Sequence, residues 1–132
     1  MLLTARPPVP LARTVGVINI ESIGRNLKDS LAVVHEPRPT ALDDAVERTA
    51  RAHATELGLT VVGDPDPSLR LWLTGDHSAF YDVGIPILYL HNGLHGDLHR
   101  PGDEPQKIDF ASTARIARFL ALLAHEAATP AP

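Results

Sequence analysis

Ile85-Pro86-Ile87-Leu88-Tyr89-Leu90 is an apolar run bounded by turn residues. A run of that kind suits a strand buried on both faces, and such a strand needs cover above and below it. Ahead of it, Asp76 is placed to cap a short helix over His77 to Val83, and Gly84 to end that helix in a left-handed conformation. Behind it, His91, His95, Asp97, His99 and Asp103 follow in a loop too long and too polar to be a mere connector. In α/β proteins ligands and catalytic groups gather just past the C-terminal ends of strands, and this loop falls there.

The rest of the chain supplies the layers. Thr14 to Ile20 is a β-branched run of central-strand character, which puts Glu21 at a strand's C-terminal end. Leu31 to His35 reads as a second strand, and Thr60 to Val62 begins a third. Between them Leu42 to Leu57 is an amphipathic helix closed by Gly58. Gly63 to Pro67 is a turn and Leu69 to Leu73 a further extended piece. Phe110 to Ala127 is the closing helix, with Ile116, Phe119, Leu120 and Leu123 as its core stripe. Strands alternating with helices predict an α/β layered domain with a largely parallel sheet, and 132 residues predict one domain. Leu2 to Leu11, with its Pro7-Pro8-Val9-Pro10, reads as the tail of a connector, and Thr129 to Pro132 as a disordered end. The first strand is already central in character, as though earlier strands were missing.

Charge and composition narrow the partners. A net charge of -4 with lysine only at 28 and 107 leaves no footprint for nucleic acid or an anionic membrane. No apolar run reaches membrane-spanning length, and Met1-Leu2-Leu3 is not a signal peptide. With no cysteine there is neither a disulfide framework nor a thiolate metal site, so a metal here would be held by histidine and carboxylate.

Three constellations carry candidate chemistry. His91, His95 and His99 are spaced by four, which on a helix would align three rings as in helical zinc motifs. Asn92 stands where such a motif has its catalytic glutamate, however, and Gly93 and Gly96 interrupt any helix, so the helical reading is rejected. His91 and His95 are read instead as satisfying loop carbonyls. Glu21 and His99 pair a strand-end carboxylate with a loop imidazole, but spacing alone favours two solvated surface groups. Asp76-His77 is most simply a helix cap followed by a partly buried ring.

GDHSAFYDVGIP, GLHGDLHRPGDEPQKID and VINIESIGRN, taken together, resemble the C-terminal half of the two-zinc aminopeptidases. Bacterial leucyl aminopeptidases, glutamate carboxypeptidase II, glutaminyl cyclases and the non-catalytic ectodomain of the transferrin receptor belong to that family. Its pattern is N-x-D near a strand end, then S-D-H-x-x-F-x-x-x-G-I-P, then a tyrosine-histidine pair followed by P-x-D-T and K-I-D. The likeness runs in order over about residues 12 to 125. It implies a three-layer αβα sandwich with a mostly parallel mixed sheet, lacking its N-terminal strands. It also implies that Glu21 is the carboxylate ligand of one zinc and His99 the imidazole ligand of the other. Asp103 would orient the His99 ring, while Asp76, His77 and His95 would support the site. Two zinc ions about 3.5–4 Å apart polarise a scissile carbonyl and activate a bridging water in such sites.

Several positions depart from the pattern. Glu21 replaces the usual aspartate, Leu98 the tyrosine before the histidine ligand, Gly75 the serine and Glu104 the threonine. The family's H-x-D motif and Glu-Glu pair, which carry the general base and the remaining ligands, belong upstream of Glu21, and neither occurs in the twenty residues there. The resemblance therefore implies the C-terminal part of a zinc aminopeptidase acting on a peptide substrate. Inactivity, weak zinc binding and self-association are expected of the chain alone. A non-catalytic scaffold or binding domain is the rival reading, favoured by Leu98 and Glu21, and a glutaminyl-cyclase-like acyl transferase is a weaker third.

Overall fold

The computed structural model describes residues 7–25 and 28–129. The expectations for Leu2 to Arg6 and for the tail after Thr129 fall outside them. The buried run is a strand, Ile87–His91 (β4), with all five residues buried. It lies inside a four-stranded sheet with β1 (Val17–Glu21) on one side and β2 (Ser30–His35) on the other. β3 (Thr60–Gly63) completes the order β1-β4-β2-β3. β1 runs parallel to β4 and β3 parallel to β2, while β4 and β2 are antiparallel. The sheet is thus mixed, with two parallel pairings to one antiparallel.

One sheet face carries the core. Leu31 and Val33 of β2 and Leu88 and Leu90 of β4 pack with Leu42, Ala45 and Val46 of α1 (Ala41–Thr49). Ile116, Phe119 and Leu123 of the closing helix join the same cluster. Thr40 starts α1 with a capping box: its hydroxyl accepts the Leu42 amide at 3.2 Å, and the Asp43 carboxylate accepts the Thr40 amide at 2.6 Å. The helix continues through a π-helical stretch, Ala50–Ala54, into a last turn, α2 (Thr55–Leu57), and ends on Gly58 at φ 65°. The π stretch begins just after Thr49, whose hydroxyl donates to the Ala45 carbonyl at 2.8 Å and so competes within the ladder.

The opposite face, bearing Asn19, Glu21, Tyr89 and His91 by strand alternation, is covered by the segment from Pro67 to Gly84, and here the structure corrects two expectations. Leu69 to Leu73 is not extended: 3-10 turns Pro67–Leu69 and Leu71–Leu73 flank Arg70 at φ 49°. Pro67 fixes its own φ, and the Asp66 carboxylate takes the Ser68 amide at 3.2 Å, so the local chemistry selects a turn. The helix expected over His77 to Val83 shrinks to α3 (Ser78–Tyr81), although Gly84 follows at φ 82° as expected. Asp76 is exposed and caps nothing, because the helix begins one residue later, with His77 at the cap position.

β1 also differs from expectation. Thr14 is held by a 3-10 turn, its amide donating to Leu11 at 2.9 Å, so the strand starts only at Val17. It forms an edge of the described sheet rather than a central strand, with Ile20 solvent-facing.

The closing helix, α4 (Phe110–Ala128), is capped by the Asp109 carboxylate on the Ser112 amide at 2.9 Å. Its buried positions are Ser112, Ile116, Phe119 and Leu123, with Leu120 partly buried beside them. Phe119 is fully buried whereas Phe110 is 67% exposed. Truncating Phe119 to alanine should therefore cost about 3–5 kcal/mol in urea unfolding, and Phe110→Ala within about 0.5 kcal/mol. Equal losses at the two positions would contradict this packing.

Candidate functional site

β1 and β4 end side by side, with Glu21 in register with His91 and Asn19 with Tyr89. A hydrogen-bond chain runs across these ends. Asn19 Nδ2 donates to Glu21 Oε1 and also to His77 Nδ1, each at 2.9 Å. An amide nitrogen only donates, so His77 Nδ1 is the acceptor and its proton sits on Nε2, which donates to the Leu71 carbonyl at 3.1 Å. The opposite amide orientation would point a carbonyl at the Glu21 carboxylate. Tyr89 completes the chain, its hydroxyl donating to Glu21 Oε2 at 3.3 Å while its ring stacks on His77. Burial, followed by the Glu21 charge, pushes the Tyr89 phenol up to about 12.

Gly75 is what lets this chain close. A Cβ there would lie 2.8 Å from two atoms of the His77 ring and 3.1 Å from Asn19 Nδ2. The departure from serine at this position thus has a steric meaning.

The loop after β4 is tied down by charge. Arg25, just beyond β1, donates to Asp97 at 2.8 Å and to Asp103 at 2.7 Å. Lys107 donates to Asp97 and to the Gly102 carbonyl at 2.8 and 2.7 Å. The Lys107 bond, then the Arg25 bond, draws the Asp97 carboxyl down to about 2. Asp103 thus serves Arg25; its other oxygen is 3.8 Å from His95 Nε2, and no bond joins it to His99 among the described residues. His99 is exposed at φ 59°, which no helical ladder of histidines could accommodate.

His91 and His95 do not satisfy loop carbonyls. His91 Nδ1 accepts the Gly93 amide at 3.0 Å, and its Nε2 and His95 Nδ1 are buried without a partner. Burial lowers the His91 pKa, against a smaller opposing pull from Asp64.

Glu21, His95, His99 and Asp103 line one cleft of about 1080 Å³, together with Tyr89 and Leu98. His77 stands behind it and Asp76 is outside. Sequence reasoning gave no role to Asn19, Tyr89 or Arg25, although Asn19 stands at the Asn of the N-x-D pattern. The first two were findable, since each lies two residues before a strand-end residue and so shares its sheet face. Nothing in the sequence linked Arg25 to carboxylates more than seventy positions away. No group of three or more metal-ligating side chains comes together among the described residues. A closed zinc site needs three or four protein donors, so the donors of this chain alone do not fit one.

The model of peptidase family M28 matches residues 2–124. No curated protein matches the chain significantly. Among solved structures, an aminopeptidase from Aneurinibacillus sp. strain AM-1 is similar with a TM-score of 0.69 at 18% identity, over 92% of this chain and 27% of that one. The Legionella pneumophila LapA aminopeptidase is similar with a TM-score of 0.69 at 11% identity, over 89% of this chain and 32% of that one. These likenesses concern the fold, and the chain spans about a third or less of the length of either structure.

Two outcomes follow from the hydrogen-bond chain. Tyr89 has a folded pKa of about 12 against 10.0 unfolded. Its contribution is complete below pH 10.0 and is lost as pH rises towards about 12, at up to about 1.4 kcal/mol per pH unit. Alkaline urea titrations should show a shallower stability loss for Tyr89→Phe over that window; parallel limbs would refute the assignment. Gly75→Ser should destabilise by about 1–3 kcal/mol through overpacking against the buried His77 ring, read as a lower urea midpoint with unchanged slope.

Proposed function

Because the chain belongs to peptidase family M28, we propose that it forms the C-terminal part of a zinc-dependent aminopeptidase site hydrolysing N-terminal peptide bonds. The observation that carries this reading is the meeting of Glu21 and His99 in one cleft beside an apolar wall formed by Leu71, Leu94 and Leu98. Carboxylate and imidazole suit zinc. Asn19 and Tyr89 hold the Glu21 carboxylate in place, while the leucines exclude water and receive an aliphatic side chain. The other donors and the general base have to come from outside these residues. The chain's own role is to bind, orient and shield the peptide's first residue.

A non-catalytic scaffold has specific support as well. Leu98 offers no hydroxyl to a substrate carbonyl, and both oxygens of Glu21 are already engaged by protein donors.

One reconstitution separates the two. Alone, the chain should bind zinc weakly, without defined stoichiometry in calorimetry, and should leave leucyl reporter amides intact. Combined with the complementary part of an intact relative, it should give zinc-dependent turnover that His99→Ala abolishes and Leu98→Tyr raises. General acid–base help of about 10²–10⁴-fold would return with the supplied base. A complex that binds two zincs yet stays inert even with Leu98→Tyr would leave the scaffold reading standing. Two tight zinc sites on the chain alone would overturn the division of ligands.

A further inference from the structure

β4 ends on His91, which pairs with Ala32 of β2 at the last rung of that ladder. The next two residues are Asn92 and Gly93. Asparagine followed by glycine is the sequence most prone to spontaneous deamidation, because no Cβ hinders the glycine nitrogen from reaching the preceding side-chain amide. The fold asks for both members of the pair. Gly93 sits at φ 90°, a conformation that penalises any side chain. Asn92 is 2% exposed, and its Nδ2 donates to the Ser30 carbonyl, a bond that an ionised carboxylate cannot make. A chemically labile dipeptide thus stands at a buried strand end. The other asparagines lack this pattern, since Asn19 precedes Ile20 and Asn26 precedes Leu27.

The contacts that require the pair also hold its reaction off. Ring closure needs the Gly93 nitrogen as nucleophile and the Asn92 side-chain nitrogen as leaving group. The Gly93 amide donates to His91 Nδ1 at 3.0 Å, and the leaving nitrogen is held by Ser30. The Asn92 backbone amide is tied as well, donating to the Ser22 carbonyl at 3.3 Å. These bonds have to open before the Gly93 nitrogen is free to attack.

We propose that Asn92–Gly93 is a latent modification site, closed in the folded chain and converted to aspartate and isoaspartate when the end of β4 opens. On opening, hydroxide takes the Gly93 amide proton and the nitrogen bonds to Asn92 Cγ. The Cγ–Nδ2 bond breaks, and the departing nitrogen takes a proton from water and leaves as ammonia, restoring the hydroxide. Water then opens the cyclic imide. Breaking the new N–Cγ bond gives aspartate; breaking the original peptide bond gives isoaspartate, with an extra methylene in the backbone. Either product turns a carboxylate towards the Ser30 carbonyl in place of a donor. Arg25, Lys28 and Lys107 line the same cavity of about 260 Å³, so the new charge competes with Asp97 for Arg25 and Lys107. The strand end does not close again as before, and a transient opening becomes a permanent mark. No metal takes part, so the site lies outside the peptidase reading.

The full chain is aged in mildly alkaline buffer, with deamidation followed by peptide mass mapping and by enzymatic methylation of isoaspartate. Exchange of the Gly93 amide is measured by NMR in the same buffer, and the free peptide spanning residues 90–96 is the reference. The expected result is modification at Asn92, slower than in the peptide by at least about tenfold and by the factor that protects the Gly93 amide, within about threefold, because one opening governs both. Urea sufficient to unfold the chain should raise the rate to that of the peptide. Asn92→Asp, the direct product, should lower the urea midpoint or abolish the cooperative transition. A folded chain that deamidates faster than its Gly93 exchange allows would overturn the proposal, because the closed state would then react. So would an unmodified Asn92 whose neighbouring amide exchanges freely, modification at Asn19 or Asn26 instead, or an Asn92→Asp midpoint at or above that of the unaltered chain. None of these readouts depends on zinc or turnover, so failure here and failure of the reconstitution are separate results.

Discussion

The placement of β4 governs the molecule. Buried along its whole length, it is hydrogen-bonded to a parallel strand on one side and an antiparallel one on the other. Its alternation sends Leu88 and Leu90 into the helical core and Tyr89 and His91 to the opposite face. A slip of one residue against β1 would turn the phenol into the core and take the Tyr89 donor away from Glu21, leaving it only Asn19 of its own strand. The greasy side of the sheet therefore sets the register on which the polar side depends.

Much of this was legible in the sequence for a simple reason. Strongly patterned segments announce themselves: the run at Ile87–His91, the stripe of Ile116, Phe119 and Leu123, and the glycines at 58 and 84. The segment from Pro67 to Tyr81 misled because Leu69, Leu71 and Leu73 alternate like a strand, while Asp66, Pro67 and Arg70 set the backbone into turns. Asp76 looked like a cap from its position alone, and the demand of the His77 ring for two partners decided otherwise.

At the site, the carboxylate and the imidazole were visible as residue types past strand ends, and their shared cleft is a matter of topology. Their supports were harder to see. Asn19 and Tyr89 are ordinary residues in strands, and only the pairing of two strands sixty-six or more positions apart makes them one network. The one unpartnered nitrogen in each of the His91 and His95 rings left no trace in the sequence, because burial of a ring nitrogen depends on what packs over it.

The grip of Arg25 on Asp97 and Asp103 has a further meaning. Those carboxylates flank His99, so a single guanidinium pins both shoulders of the turn that presents the ring. The turn's stiffness is thus an electrolyte property more than a packing one. Contacts at 2.7–2.8 Å sit well inside the screening length of about 8 Å at physiological ionic strength and only just inside the 3 Å or so of molar salt. Concentrated brine would thus loosen this turn before it touched the sheet, and only in part, because the Arg25 side chain is 17% exposed.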